Sequence, residues 1–325
     1  MTASSYKQFF RRHHEILVVG VAIVLVALFV TISRGLWASP YNLASVLQVT
    51  ATLGIMALAE SLVITSGEID ISVGSTFGFS AITYLGLVPH LGSAAALIIA
   101  LAAGLGIGAL NGFLVVWFRL PSLIITLGTL LIFQGLCIAV TAGFSFSIPW
   151  AQRKNFVYQV LGGGNFLGVN TAVFWMLVFF ILFQMILFAM PFGNRLLAVG
   201  GSSQSAHSRG ISVKRVKFAA FALCGLLAGF AGVLEAGKLG FADGSMGRLM
   251  ELQAIAACVL GGCALAGGRV SILGVLMGTF LLCGIQSFLV IMGVQPQWFM
   301  LVLGIIVVSA ARADRVFRDW VLRGA

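Results

Sequence analysis

Long apolar runs divide this chain, many of them near or above the roughly 20 residues that an α-helix needs to cross a bilayer. They cover 15–33, 42–65, 71–88, 93–117, 122–142, 171–190, 215–237, 250–266, 270–292 and 297–311. Little else remains of the 325 residues. Only 9% of residues are charged and 60% are hydrophobic, far from the balance of a globular domain. The runs are continuous rather than alternating, which argues against a membrane β-barrel. The expected fold is all-α: one polytopic transmembrane domain of about ten helices. The first run follows Lys7, Arg11 and Arg12 and is longer than the core of a secretory signal, so it reads as an uncleaved first helix.

Charge orients this layout. With ten spans and the N-terminus inside, the inner segments hold Lys7, Arg11, Arg12, Arg119, Arg195, Arg209, Lys214, Arg215, Lys217, Arg269, Arg312, Arg315, Arg318 and Arg323. The outer segments hold Arg34, Arg153, Lys154, Lys238 and Arg248. Basic residues gather on the cytoplasmic side of membrane proteins, so both termini (1–14 and 312–325) are expected in the cytoplasm. The same distribution accounts for the net charge of +10 without a nucleic-acid partner.

Two connections exceed a tight turn. The outer one, 143–170, carries Trp150, Tyr158 and the run GGGN. The inner one reads FGNRLLAVGGSSQSAHSRGISV at 192–213 and is the most polar part of the chain; it is either a solvated connection or a docking surface. NGFLVVWFRLP at 111–121 and QSFLVIMGVQP at 286–296 share Phe, Leu, Val and Pro at an offset of 175, in spans of opposite direction. That is the arrangement of an inverted repeat of five helices. Gly104, Gly108 and Gly112, with Gly225, Gly229 and Gly232, supply the small residues that let helices pack closely in lipid.

Catalytic and metal-binding patterns are missing. The five cysteines lie in apolar runs at irregular spacing, as buried small hydrophobes do. No histidine pairs with a second ligand at helical spacing. GVLEAGK at 232–238 fits a phosphate-loop pattern only until Leu239 replaces the required hydroxyl residue, and it closes an apolar run instead of following a strand. An enzymatic role for this chain is not expected, and no cofactor is.

The acids stand out instead. Glu60, Glu68, Asp70, Glu235 and Glu251 lie in apolar runs or at their ends. Ionisable residues at membrane depth are costly and face a cavity or a partner. Glu68 and Asp70 belong to TSGEIDISVGST at 65–76, where Ser66, Gly67, Ser72 and Gly74 all permit a break in a helix. The stretch is either a break lining a central pathway or a short cytoplasmic turn capping the next helix through Asp70 or Ser72.

TSGEIDISVGS resembles the signature stretch of the membrane subunits of bacterial sugar ABC importers, the ribose/xylose/arabinose/autoinducer-2 permease family. PSLIITLGTLLIFQG at 121–135, AVGGSSQSAHSRGISV at 198–213, CGLLAGFAGVLEAGKLG at 224–240 and MELQAIAACVLGGCALAGG at 250–268 are similar to further stretches of that family, in the same order. The resemblance runs from about residue 40 to 311. It implies a ten-helix permease of the bacterial inner membrane working as a pair, with a soluble periplasmic sugar-binding protein outside and an ABC ATPase subunit inside. The inner loop, 191–214, would couple to the ATPase through Gly200, Gly201, Ser202, His207, Arg209 and Gly210. Pathway candidates are Glu60, Thr65, Ser66, Glu68, Asp70, Ser72, Asn111, Gln134 and Gln286. The polar groups of the spans are mostly uncharged, which fits a small neutral solute of pentose, deoxyhexose or autoinducer-2 type. The chain departs from the family at Ser202, where Asn is usual, at Gln134, where relatives tend to have Arg, and at Gln253, where they tend to have Asp. Those losses leave open a heterodimer with a second permease beside a homodimer. The competing class is an ion-coupled secondary transporter using Glu60, Glu68 or Asp70.

Overall fold

The computed structural model describes residues 14–166 and 168–322. Residues 1–13 and 323–325, with Lys7, Arg11, Arg12 and Arg323, lie outside the described residues. The fold is almost wholly helical. In chain order, α1 is His14–Ile32, α2 is Pro40–Thr65, α3 is Val73–Trp117 and α4 is Ser122–Thr141. Helix α5, Thr171–Gln184, widens into a last turn at Met185–Ala189. Two short helices follow, α6 (Pro191–Gly201) and α7 (Ser203–Ser208), and then α8 (Val213–Leu239), α9 (Met250–Leu260), α10 (Ile272–Ile291) and α11 (Trp298–Leu322).

Six of these segments are long and apolar enough to cross a membrane: Pro40–Thr65, Val73–Trp117, Ser122–Thr141, Thr171–Ala189, Val213–Leu239 and Ile272–Ile291. Val18–Ile32, Met250–Leu260 and Trp298–Ser309 are shorter apolar helices. The 45 residues of α3 would extend about 68 Å if straight. They fold back instead. Gly92 leaves helical geometry at φ 76°, ψ 165°, three residues after Pro89. Asn111 then reaches Ser72, and the Cβ position of Gly104 lies 3.2 Å from Ser80 Oγ. The arms 73–91 and 93–117 are therefore antiparallel, as the separate apolar runs 71–88 and 93–117 predict.

Helices α2 and α8 form the centre. Every residue of α2 from Thr50 to Thr65 is buried, and α8 buries most positions from Cys224 to Gly237. The predicted small-residue contact is between α3 and α8. The Cβ position of Gly104 lies 2.6 Å from Gly225 O, and that of Gly108 lies 2.9 Å from Gly225 Cα, so any side chain there would push two backbones apart. Apolar residues such as Ile98, Ile124, Leu131 and Val308 remain exposed on the outer helices.

Three expectations need correction. Helix α9 stops at Leu260 instead of running to 266, because Gly261 and Gly262 open a turn and Gly262, Gly267 and Gly268 all take positive φ. The polar connection at 192–213 is largely helical: Ser202 ends α6, and its Oγ caps α7 by accepting from Ser205 N at 3.2 Å. Its buried positions are Gly193, Leu196, Val199 and Ala206. The segment expected as a tail from 312 continues α11 to Leu322. The connection at 143–170 is held by short pairings: β1 (Phe146–Ser147) lies antiparallel to β4 (Phe241–Ala242), and β2 (Asn165–Phe166) pairs with β3 (Val169–Asn170).

Candidate functional site

Helix α2 ends at Thr65, and residues 66–72 turn back along it. Asp70 N donates to Glu60 Oε1 at 3.2 Å, so the chain re-enters the packed interior by the level of Glu60, more than a helical turn above the end of α2. Asp70 Oδ1 accepts from Ser72 N at 2.9 Å and from Ser72 Oγ at 2.6 Å. Asn111 Nδ2 donates to Ser72 Oγ at 2.7 Å. Cys224 Sγ of α8 donates to Glu60 Oε2 at 3.6 Å. Glu60, Ser72 and Asn111 are wholly buried, and Asp70 nearly so. Four of the predicted residues thus form one polar cluster linking α2, both arms of α3 and α8. Buried polar networks of this kind fix one arrangement of the elements that share them.

The other predicted pathway residues lie elsewhere. Thr65 and Ser66 donate to their own helix, at Ser61 O (2.6 Å) and Val63 O (2.7 Å). Glu68 forms an ion pair with Lys217 Nζ, 2.6 Å away in the first turns of α8. Gln134 Nε2 donates to Gly244 O at 2.6 Å. Gln286 is half-buried on α10, beside Ser287, whose hydroxyl donates to Asn42 near the opposite end of α2 from the break.

A second break, outside the candidate residues of the sequence, mirrors the first. Asp70-Ile71-Ser72-Val73-Gly74 has a counterpart in Asp243-Gly244-Ser245-Met246-Gly247, 173 residues on. Both read D-x-S-x-G. Asp243 Oδ1 accepts from Ser245 N at 2.8 Å and from Ser245 Oγ at 2.7 Å, repeating the bonds of Asp70. The two motifs also meet. The Cβ position of Gly74 lies 2.6 Å from Gly247 O, and that of Gly247 falls against Gly74 O. Gly247 has φ +84°, open to a residue without a side chain. The second turn lies between α8 and α9, held from the side by Gln134. One difference is plain: Asp70 and Ser72 are buried, whereas Asp243 is half-buried and Ser245 exposed.

At the end of α2 three glycine-bearing segments touch. The Cβ position of Gly200, in α6, falls against Thr65 O and Gly268 N. Gly268 N itself donates to Thr65 O at 2.9 Å. The Cβ position of Gly267 lies 2.9 Å from Gly67 Cα and from Gly200 O. Gly201, Ser202, His207, Arg209 and Gly210 are exposed. Of the predicted coupling residues, then, only Gly200 faces inward.

The segment GVLEAGK lies within α8, and its Glu235 and Lys238 form an ion pair at 2.7 Å, so it is no phosphate loop. Among the described residues no group of three or more metal-ligating side chains occurs, and the five cysteines are buried and unpaired.

Sequence comparison places the chain among membrane permeases. The family profile described as the branched-chain amino acid transport system permease component matches residues 42–311. The L-arabinose ABC transporter permease protein of Azospirillum brasilense is 33% identical over 306 residues, covering 92% of this chain and 88% of the relative. The ribose import permease protein of Bacillus subtilis is 32% identical, covering 91% of each chain. The autoinducer 2 import system permease protein of Salmonella typhi is 31% identical, covering 90% of this chain and 84% of the relative. No solved structure matches. The chain belongs to this permease family, among the membrane subunits of sugar-type ABC importers.

Proposed function

We propose that the chain is the transmembrane permease subunit of an ATP-driven importer in the bacterial inner membrane. Its cargo is a small neutral sugar or sugar-like solute, of pentose, deoxyhexose or autoinducer-2 type, delivered by a periplasmic binding protein. The observation that carries the reading is similarity along nine-tenths of the chain to permeases named for L-arabinose, ribose and autoinducer 2. ATP hydrolysis belongs to a separate subunit, and two permease copies, identical or not, form the conduit.

The paired D-x-S-x-G turns support a ten-crossing plan built on an inverted repeat. Helix α2 corresponds to α8, the first turn to the second, the arm 73–91 to α9, the arm 93–117 to α10, and α4 to α11. Gly54 and Glu60 recur as Gly229 and Glu235 at the offset of 175 already noted. Interrupted helices meeting near the membrane midplane are where transporters of this plan hold their cargo. Asp70, Ser72 and Asn111 on one side and Asp243 and Ser245 on the other are hydrogen-bonding groups suited to hydroxyl-rich solutes. The first set is buried and the second more open, which fits a permease closed to the cytoplasm.

The glycine junction supplies a route for coupling. An ATPase bearing on the exposed face of α6 and α7 would push Gly200 against Thr65 and Gly268, and so move the inner ends of the first break and of the turn after α9. Backbone-to-backbone contact transmits such displacement without slack. Gly201→Trp tests this role: its Cβ would enter open space, so the fold should survive. ATP hydrolysis is expected to continue while import falls; unchanged import would remove α6 and α7 from the coupling.

Reconstitution tests the function itself. Liposomes containing the permease alone should show no concentrative uptake of ribose, L-arabinose or autoinducer 2. Adding the ATPase, the binding protein, any partner permease and ATP should start it. Uptake driven by an ion gradient in the absence of the other subunits would assign the chain to the ion-coupled class instead.

A further inference from the structure

A cleft of about 250 Å³ opens where the end of α3 meets the start of α8. Arg119, Lys214 and Lys217 line it with Glu68, over an apolar floor that includes Val115 and Val213. Lys217 is taken by Glu68 at 2.6 Å. Among the described residues no carboxylate lies within ion-pair distance of Arg119 or Lys214, so the cleft keeps excess positive charge. A neutral cargo has no use for it. Directly along α3 from the cleft, Phe113, Trp117 and Phe118 are exposed, and they form a ring cluster with Phe218 of α8, with centroids 5.4–5.6 Å apart. Aromatic side chains grouped beside basic ones mark the depth at which a helix meets lipid headgroups.

We propose that this cleft binds the headgroup phosphate of an anionic phospholipid, with Arg119 and Lys214 at the phosphate and the acyl chains along Phe113, Trp117 and Phe118. The site lies at the cytoplasmic end under the orientation adopted above, and so rests on that reading for its leaflet but not for its chemistry. A bound lipid would brace the inner end of α8 beside the Glu68–Lys217 pair, next to the first helix break.

Native mass spectrometry of the purified full-length chain in detergent tests this without any transport. Dioleoylphosphatidylglycerol should bind as one retained adduct per chain, at lower concentration than dioleoylphosphatidylcholine. Arg119→Ala with Lys214→Ala should weaken phosphatidylglycerol binding on the order of 30-fold, since each cation near an anionic surface contributes about fivefold. The charge-keeping pair Arg119→Lys with Lys214→Arg should retain it. Both side chains are exposed or line the cleft, so a melting curve matching the parent will show that the alanine variant is folded. Equal binding of the two lipids, equal binding by parent and alanine variant, or tighter binding of inorganic phosphate than of phosphatidylglycerol would overturn the proposal. So would loss of ATPase-subunit association with lipid binding unchanged, because the cleft would then serve a protein carboxylate. Because no step involves import, a failed lipid site and a failed transport assignment give different results.

Discussion

Gly200→Ala is expected to leave little correctly folded permease, while Gly201→Ala, one residue on, should be tolerated. The two glycines share a helix end but not an environment. A methyl group on Gly200 meets Thr65 O and Gly268 N, both backbone atoms tied to each other by a hydrogen bond. Neither can swing aside as a flexible side chain would. Relief requires α6, the end of α2 and the turn at 267–268 to separate, and overpacking of a rigid site costs about 3 kcal/mol or more. A methyl group on Gly201 meets nothing within 4 Å, and alanine in a helix is favoured over glycine by up to about 1 kcal/mol. The yield of monodisperse protein in detergent and its melting temperature should therefore fall sharply for the first variant and stay level or rise for the second. Similar behaviour of both would mean that the three segments are not in contact, and would remove the junction as a coupling route.

That contrast marks a boundary of what the residues disclose. Membrane-spanning helices are legible because each must present about 20 apolar residues to lipid, whatever its neighbours do. The break at 65–76 is legible because Glu68 and Asp70 interrupt such a run. Helix α7 is not: SSQSAHS buries only Ala206, so it offers no apolar periodicity, although Ser202 three residues before Ser205 is a capping spacing. The end of α9 at Leu260 is marked in the sequence only by Gly261 and Gly262, because Cys263, Ala264, Leu265 and Ala266 beyond them are as apolar as a helix would be. The second break is legible only as the D-x-S-x-G pattern that it shares with the first. Asp243 stands among Gly244, Ser245 and Gly247, the composition of an ordinary surface loop. Its relation to Asp70 emerges from matched hydrogen bonds and from the reciprocal contact of Gly74 and Gly247. The partner of Glu68 was out of reach for a different reason: nothing in the order of residues says that Lys217, 149 positions away, faces it.

The twin turns allow one bond pattern to be weighed in two environments. Asp70→Ala is expected to lower stability by about 3 kcal/mol or more and to abolish import, while Asp243→Ala should cost about 1 kcal/mol or less. Each carboxylate accepts from the backbone and the hydroxyl of a serine two residues on, at nearly the same distances. Removing Asp70 leaves Ser72 N and Oγ buried without that acceptor, and each buried donor left unsatisfied costs about 1–3 kcal/mol. Asn111, which donates to the same hydroxyl, loses its ordered partner as well. Removing Asp243 exposes the equivalent groups to water, which replaces most of what is lost, as at an exposed helix cap. Asp70→Asn keeps Oδ1 as an acceptor and should fall between the two in stability while still impairing import, since the amide alters the site that we propose meets the cargo. Melting of the three variants in one detergent, with import measured in reconstituted vesicles, checks the ordering. Equal losses for Asp70→Ala and Asp243→Ala would mean that the first turn is as wet as the second, and the buried cluster would then give no support to the proposed inner closure of the conduit.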